Sequence, residues 1–147
     1  MEDKLTLTGH INFKLFDQEG RLKDERDIKN VVVTVGKNYM ATWLATATQA
    51  DYFMKYVGLG TGATAAMTTD TTLETEIGTR AVGTISSSTN VWQSQATFIA
   101  GNATGAITEA AILSAPTSGT MLARQVFATV NKAASDILQV TWQITLS

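Results

Sequence analysis

The stretch Asp136-Ile-Leu-Gln-Val-Thr-Trp-Gln-Ile-Thr-Leu146 decides the fold class. Leu138, Val140, Trp142, Ile144 and Leu146 alternate with Gln139, Thr141, Gln143 and Thr145. Alternation of period two over that length is the mark of a strand with one buried face and one wet face. The chain's start behaves the same way. Leu5, Leu7, Ile11, Phe13 and Leu15 share one phase, which Gly9 interrupts, and Phe16 falls out of it. Asp17-Gln-Glu-Gly20 then reads as a hairpin loop, and Leu22 to Ile28 as a charged edge strand.

Between these ends the pattern repeats. Strands are predicted near 30–35, 52–59, 80–88, 90–100, 106–113, 120–129 and 136–146, with 71–79 ambiguous between loop and extended chain. Turn signals separate the later ones: Ser87-Ser-Thr-Asn90, Gly101-Asn-Ala-Thr-Gly105, Ser114-Ala-Pro-Thr-Ser-Gly119 and Asn131-Lys-Ala-Ala-Ser135. The period changes once. Met40, Trp43, Leu44 and Ala47 recur at helical spacing, which predicts a short helix near residues 38–48 capped by Asn38. Eight or nine short strands joined by hairpin-length loops indicate an all-β, antiparallel sandwich of the jelly-roll-like kind, formed by residues 1–147 as one domain.

Composition narrows the function classes. The chain has 147 residues, 44% of them hydrophobic, no cysteine and one histidine. Disulfides, thiolate metal sites and cysteine nucleophiles are therefore excluded. A net charge of −2 supplies no electrostatic attraction for nucleic acid or an anionic membrane, so neither is expected as a partner. No apolar run approaches the length of a membrane span. Met1-Glu-Asp-Lys4 lacks the basic and apolar regions of a secretory signal. More than half of the charged residues fall within the first thirty, and Arg21 to Lys29 is nearly all charged with mixed signs. That segment reads either as a solvated ribbon or as a docking arm; as an arm, residues 17–29 would be removable without unfolding the domain.

Several motifs invite a chemical reading. Gly58-x-Gly60-x-x-Ala63 matches the letters of a dinucleotide fingerprint, but no helical pattern follows to place a helix N-terminus under a phosphate. His10 lies in a strand, out of phase with its leucines, with no Gly-x-Ser-x-Gly elbow to partner it, so a solvent-facing or interface position is expected. The acidic residues group as Asp24, Glu25 and Asp27, then Asp70, Glu74 and Glu76, with Glu109 alone. None follows a calcium-loop pattern, and Asp70 to Glu76 is the nearest approach to a cation site. Trp142 and Trp43 fall on apolar stripes and are expected in the core, whereas the face of Trp92 is open. Asn102-Ala-Thr104 spells a glycosylation sequon. No enzyme, cofactor or metal is expected.

Four stretches carry a resemblance: Leu5 to Phe16 with its charged hairpin, Tyr56-Val-Gly-Leu-Gly-Thr-Gly-Ala-Thr64, Gly105-Ala-Ile-Thr-Glu-Ala-Ala-Ile-Leu113, and Thr120-Met-Leu-Ala-Arg-Gln-Val-Phe127 leading to Val140–Leu146. Together they resemble small virion proteins of tailed bacteriophages, among them capsid decoration (cement) proteins of jelly-roll-like fold. The pattern often carries glycine where Ala111 stands here, a departure that bears on any carry-over around Glu109. The resemblance implies a virion component, made in the host cytoplasm and bound to the capsid exterior. Its partners would be the major capsid protein and other copies of itself. A tail, baseplate or fibre-associated protein is the alternative. His10, Lys14, Phe16, Arg21, Lys23 and Arg26 are the candidate interface residues, because the charged hairpin and the out-of-phase Phe16 sit poorly within a closed sandwich.

Overall fold

The computed structural model describes residues 3–45 and 54–147. Its elements are β1 (Leu7–Phe16), β2 (Leu22–Val32), α1 (Thr34–Ala45), β3 (Tyr56–Gly60), β4 (Glu76–Val82), β5 (Thr84–Ser88), β6 (Val91–Phe98), β7 (Gly105–Leu113), β8 (Met121–Lys132) and β9 (Ile137–Leu146). The strands make one antiparallel sheet in the order β4-β3-β7-β8-β2-β1-β9-β6-β5. The all-β class with one short helix is therefore what the described residues show.

The two ends of that order, β4 and β5, are consecutive in the chain and separated only by Gly83. One bent strand thus serves both ends, and the sheet nearly closes into a flattened barrel. The corner requires glycine for space. A Cβ on Gly83 would stand 2.0 Å from Ser94 Oγ, while its N–H donates to Lys55 O at 2.5 Å. A clip seals the side of β4 that turns away from β3. Asn102 accepts from Thr79 N through Oδ1 at 2.8 Å and donates to Thr79 O through Nδ2 at 2.9 Å. The sequon asparagine is thus bonded through the nitrogen that a glycan would occupy.

β2 spans the other crossing. Its residues from Leu22 to Asn30 pair with β1, and only Val31 and Val32 reach β8. The charged stretch is consequently an integral strand. Removing 17–29 would take away most of β2, which corrects the expectation of a detachable arm.

Alternation does its work as expected in β1 and β9. Ile11, Phe13, Leu15, Leu138, Val140, Trp142 and Ile144 all enter the main core, and Phe13 meets Phe127 with ring centroids 4.6 Å apart. Phe16 lies on the face opposite Leu15 and stays in register with Ile137 of β9, while the β1–β2 pairing shifts beside it by one residue of β2. Trp92 is partly buried against the same core. In β7, Ala110 and Ile112 face that core, whereas Ala111 and Leu113 join a second cluster with Val33, Leu73 and Met121. Successive strand residues point to opposite faces, so the outer side of β7 and β8 carries a third layer. It is built from the 61–75 loop and the entry to α1.

The helix differs from expectation in start and face. It begins at Thr34, leaving Asn38 inside it. Gly36 is buried against the Leu122 backbone, where a Cβ would come within 2.6 Å of Leu122 Cα. Gly36, Tyr39 and Met40 therefore make the contact face, and Trp43 and Leu44 lie 36% and 77% exposed. Ala47 and residues 46–48 lie outside the described residues, as do 52 and 53 of the strand expected over 52–59. The apolar stripe misled because a glycine, which carries no hydrophobic signal, sets the closest approach.

Ser94 is fully buried and its Oγ has no hydrogen-bond partner among the described residues. An unpaired buried hydroxyl costs on the order of 1–3 kcal/mol. Ser94→Ala is expected to raise the urea midpoint, by about 1 kcal/mol of stability after the small lost volume. A loss of that size would mean that the hydroxyl is satisfied.

Candidate functional site

Among the described residues, a buried and an exposed arrangement of polar side chains stand out. The buried one forms where β3, β7 and β8 meet the 61–75 loop. Gly58, Gly60 and Gly62 alternate along β3 and its exit, which strips one face of side chains. Into that space leans Glu109, the strand partner of Gly60. A Cβ on Gly60 would lie 2.4 Å from Glu109 Oε1 and 2.5 Å from Thr75 O. The glycine motif thus makes room for a carboxylate, and the chain leaves β3 into a loop instead of a helix.

Glu109 is fully buried and fully bonded. Its carboxylate accepts from Gly62 N at 3.1 Å, Glu74 N at 3.1 Å and Thr75 N at 2.7 Å. Arg124, 2% exposed, completes it through Nε at 2.9 Å and Nη2 at 2.8 Å, a paired approach to Oε2. The same guanidinium donates to Asp70 Oδ2 at 2.8 Å and Thr64 O at 3.2 Å, with Glu74 Oε2 at 3.7 Å. Burial opposes the charge of Arg124, but hydrogen bonds to Asp70 and Glu109 outweigh it and lift its pKa above the ordinary value. Glu74 is held below the usual carboxylate range, first by the Thr64 N–H and then by the Thr64 hydroxyl.

Arg124 occupies the centre on which Asp70, Glu74 and Glu109 converge, one positive charge shared among three carboxylates. Glu76, the third member of the expected acidic group, pairs instead with Arg80 at 2.6 Å. Among the described residues, no group of three or more potential ligands is placed to hold a metal ion. What this cluster does chemically is anchor: it fastens the longest described loop to the barrel. A Cβ at position 60 would meet backbone as well as side chain, so Gly60→Ala is expected to cost about 1–3 kcal/mol. Chemical denaturation tests this; an unchanged midpoint would mean that the loop yields without cost.

The exposed arrangement is the outer face of β1, β2 and β9. His10, Asn12, Lys14, Glu25, Asp27, Thr141 and Gln143 line a shallow depression of about 320 Å³. His10 Nδ1 lies 2.9 Å from Asp27 Oδ1 and Lys14 Nζ 3.9 Å from Glu25 Oε1. Of the expected interface residues, the structure brings only His10 and Lys14 together here. Arg21 folds back onto Asp17 and Glu19. Lys23 pairs with buried Asp136 at 2.6 Å. Arg26 lies on the inward phase and bridges to Ala128 O and Thr129 O, stitching the part of the β2–β8 seam that lacks a ladder. Phe16 sits between Leu22 and Ile137 on the neighbouring strands, and both are partly exposed.

No protein-family model, curated protein or solved structure matches the chain. Its function is therefore argued from its own geometry.

The carboxylates also set the acid response. Asp17 is lowered first by the Arg21 backbone N–H, Asp136 first by Lys23 and then by the Ala133 N–H, and Glu74 as above. Each binds its proton more readily in the unfolded chain, so each stabilises the fold above the ordinary carboxylate range and ceases to do so as pH falls through its folded value. The urea midpoint is expected to hold near neutrality and fall below about pH 4. An unchanged midpoint at pH 2.5 would contradict this.

Proposed function

We propose that this chain is a bacteriophage structural protein, a capsid decoration protein that binds the outside of the head and clamps neighbouring major capsid protein subunits. The observation that carries the reading is how the polar groups are disposed. The Glu109 cluster is bonded internally through Arg124, and what faces outward over β1, β2 and β9 is a broad sheet surface whose charges pair locally, His10 with Asp27 and Lys14 with Glu25. Rigid scaffolds that act by contact have this character. Modest polar contacts on a repeating lattice gain strength by multiplicity, and desolvating Thr, Asn and Gln costs less than desolvating free charges. His10 and Lys14, already paired to Asp27 and Glu25, can exchange those partners for a neighbour's at little net cost.

The test is to separate heads from tails in virions carrying this protein and count its copies. Hundreds per head support decoration. A handful with the tails would move the protein to the alternative, a tail, baseplate or fibre role; absence from virions would end both. Within the decoration reading, Gln143→Arg is expected to lower head occupancy at least tenfold while leaving the unfolding midpoint within about 0.5 kcal/mol of wild type. Full occupancy would move the contact to another face.

A further inference from the structure

The barrel has few unpaired strand edges among the described residues, and they are not equally protected. The outward edge of β4 is clipped by Asn102. The lower β2–β8 seam is stitched by Arg26 and lined by Lys23, Asp24, Glu25, Arg26 and Asp27, charges that discourage a foreign strand. β5 is different. Thr84-Ile-Ser-Ser-Ser88 pairs with β6 along one edge. Beyond the Gly83–Lys55 bond at its start, no described main chain pairs with the other.

That edge carries none of the usual defences except shortness. It has no charge, proline or bulge, and every residue but Ile85 is exposed. An unpaired row of N–H and C=O groups is a template for another strand.

We infer that β5 pairs antiparallel with β5 of a second copy of this chain, across a twofold axis at Ser86. A twofold contact sets a surface against itself. β5 carries no charged residue that would meet its like across such an axis. Centring on Ser86 is the register that uses all five residues, with Ser86 opposite Ser86, Ile85 opposite Ser87 and Thr84 opposite Ser88. The polar face of β1, β9 and β6 would continue across the axis into its copy. Five-residue strands make a small interface, so the dimer is weak, with a Kd on the order of 0.1 mM. The inference does not depend on the virion reading.

Sedimentation equilibrium of the purified full chain tests it, with circular dichroism to check folding. Wild type is expected to dimerise as concentration rises, and Ser86→Lys and Ser86→Glu each to weaken dimerisation at least tenfold. An equimolar mixture of the two variants should recover it, because opposite charges then face each other. If exposed Ser86 proves intolerant, the double variant Thr84→Lys/Ser88→Lys mixed with Thr84→Glu/Ser88→Glu makes the same test at the outer pair, where residue 84 of one copy faces residue 88 of the other. A wild type that stays monomeric to 1 mM, or single variants that dimerise as wild type does, would overturn the inference. So would hydrogen exchange showing all five β5 amides protected in dilute monomer, since the chain itself would then cover the edge.

Discussion

Glu109→Ala is expected to destabilise the protein by about 3–5 kcal/mol, among the largest losses from any one substitution. The change strands two sets of groups. Arg124 keeps its charge in a site where it is 2% exposed, and the N–H groups of Gly62, Glu74 and Thr75 lose their acceptor. Each buried N–H left unpaired costs on the order of 1–3 kcal/mol. The 61–75 loop can lift to let water in, which caps the total near the cost of freeing the loop. Arg124→Ala should cost less, because Glu109 retains its three backbone donors. Replacing both by leucine should be milder than Glu109→Ala, since the three N–H groups still lose their acceptor but no unpaired charge is buried. Chemical denaturation of the four proteins measures this, and limited proteolysis should show cleavage within 61–75 first in Glu109→Ala. A Glu109→Ala protein within 1 kcal/mol of wild type would mean that the cluster decorates the loop without holding it.

That cluster also marks the limit of what sequence alone can carry. Period-two alternation made β1 and β9 legible, because burying one face of a strand repeats every second residue. The turns after β5, β6 and β7 were legible through Thr89-Asn90, Gly101 and Gly119, where the backbone takes positive φ or forms a hairpin. Asp70, Glu74, Glu109 and Arg124 had no such local signature. They meet only once the β7–β8 register sets Ala111 opposite Arg124 and the chain from β3 folds back over both. A signal existed in part: Glu109 borders the apolar run Ala110–Leu113, and Arg124 follows Met121–Ala123. Charges of opposite sign beside the facing apolar runs of a hairpin are a reason to pair them. Gly58, Gly60 and Gly62 were visible as a motif, but only a carboxylate leaning over them gives a reason for alternate glycines. The interface candidates divided for a similar reason. Arg26 shares the period of inward residues on β2, and charge alone hid that phase.

Trp142→Ala is the other change expected to cost about 3–5 kcal/mol. Trp142 is the largest fully buried side chain, in the middle of β9, with Ile11 of β1 on one side and Ser94 of β6 on the other. β9 joins the β1–β2 hairpin to β6 and β5, so the cavity opens under the centre of the sheet whose outer face bears His10, Asp27 and Gln143. Phenylalanine separates packing from bonding. The indole Nε1 has no hydrogen-bond partner among the described residues, so Trp142→Phe loses volume alone and should cost about 1–2 kcal/mol. Urea denaturation of the two variants gives both numbers. Equal losses for Phe and Ala would require a bond through Nε1, and a loss below 1 kcal/mol for Ala would show that the barrel collapses around the space. In either variant the outer face should distort before the Glu109 cluster does, because that cluster lies across the barrel on β3, β7 and β8. Chemical-shift changes confined to β1, β6 and β9 in Trp142→Phe would express that separation, and changes reaching Gly62 or Arg124 would deny it.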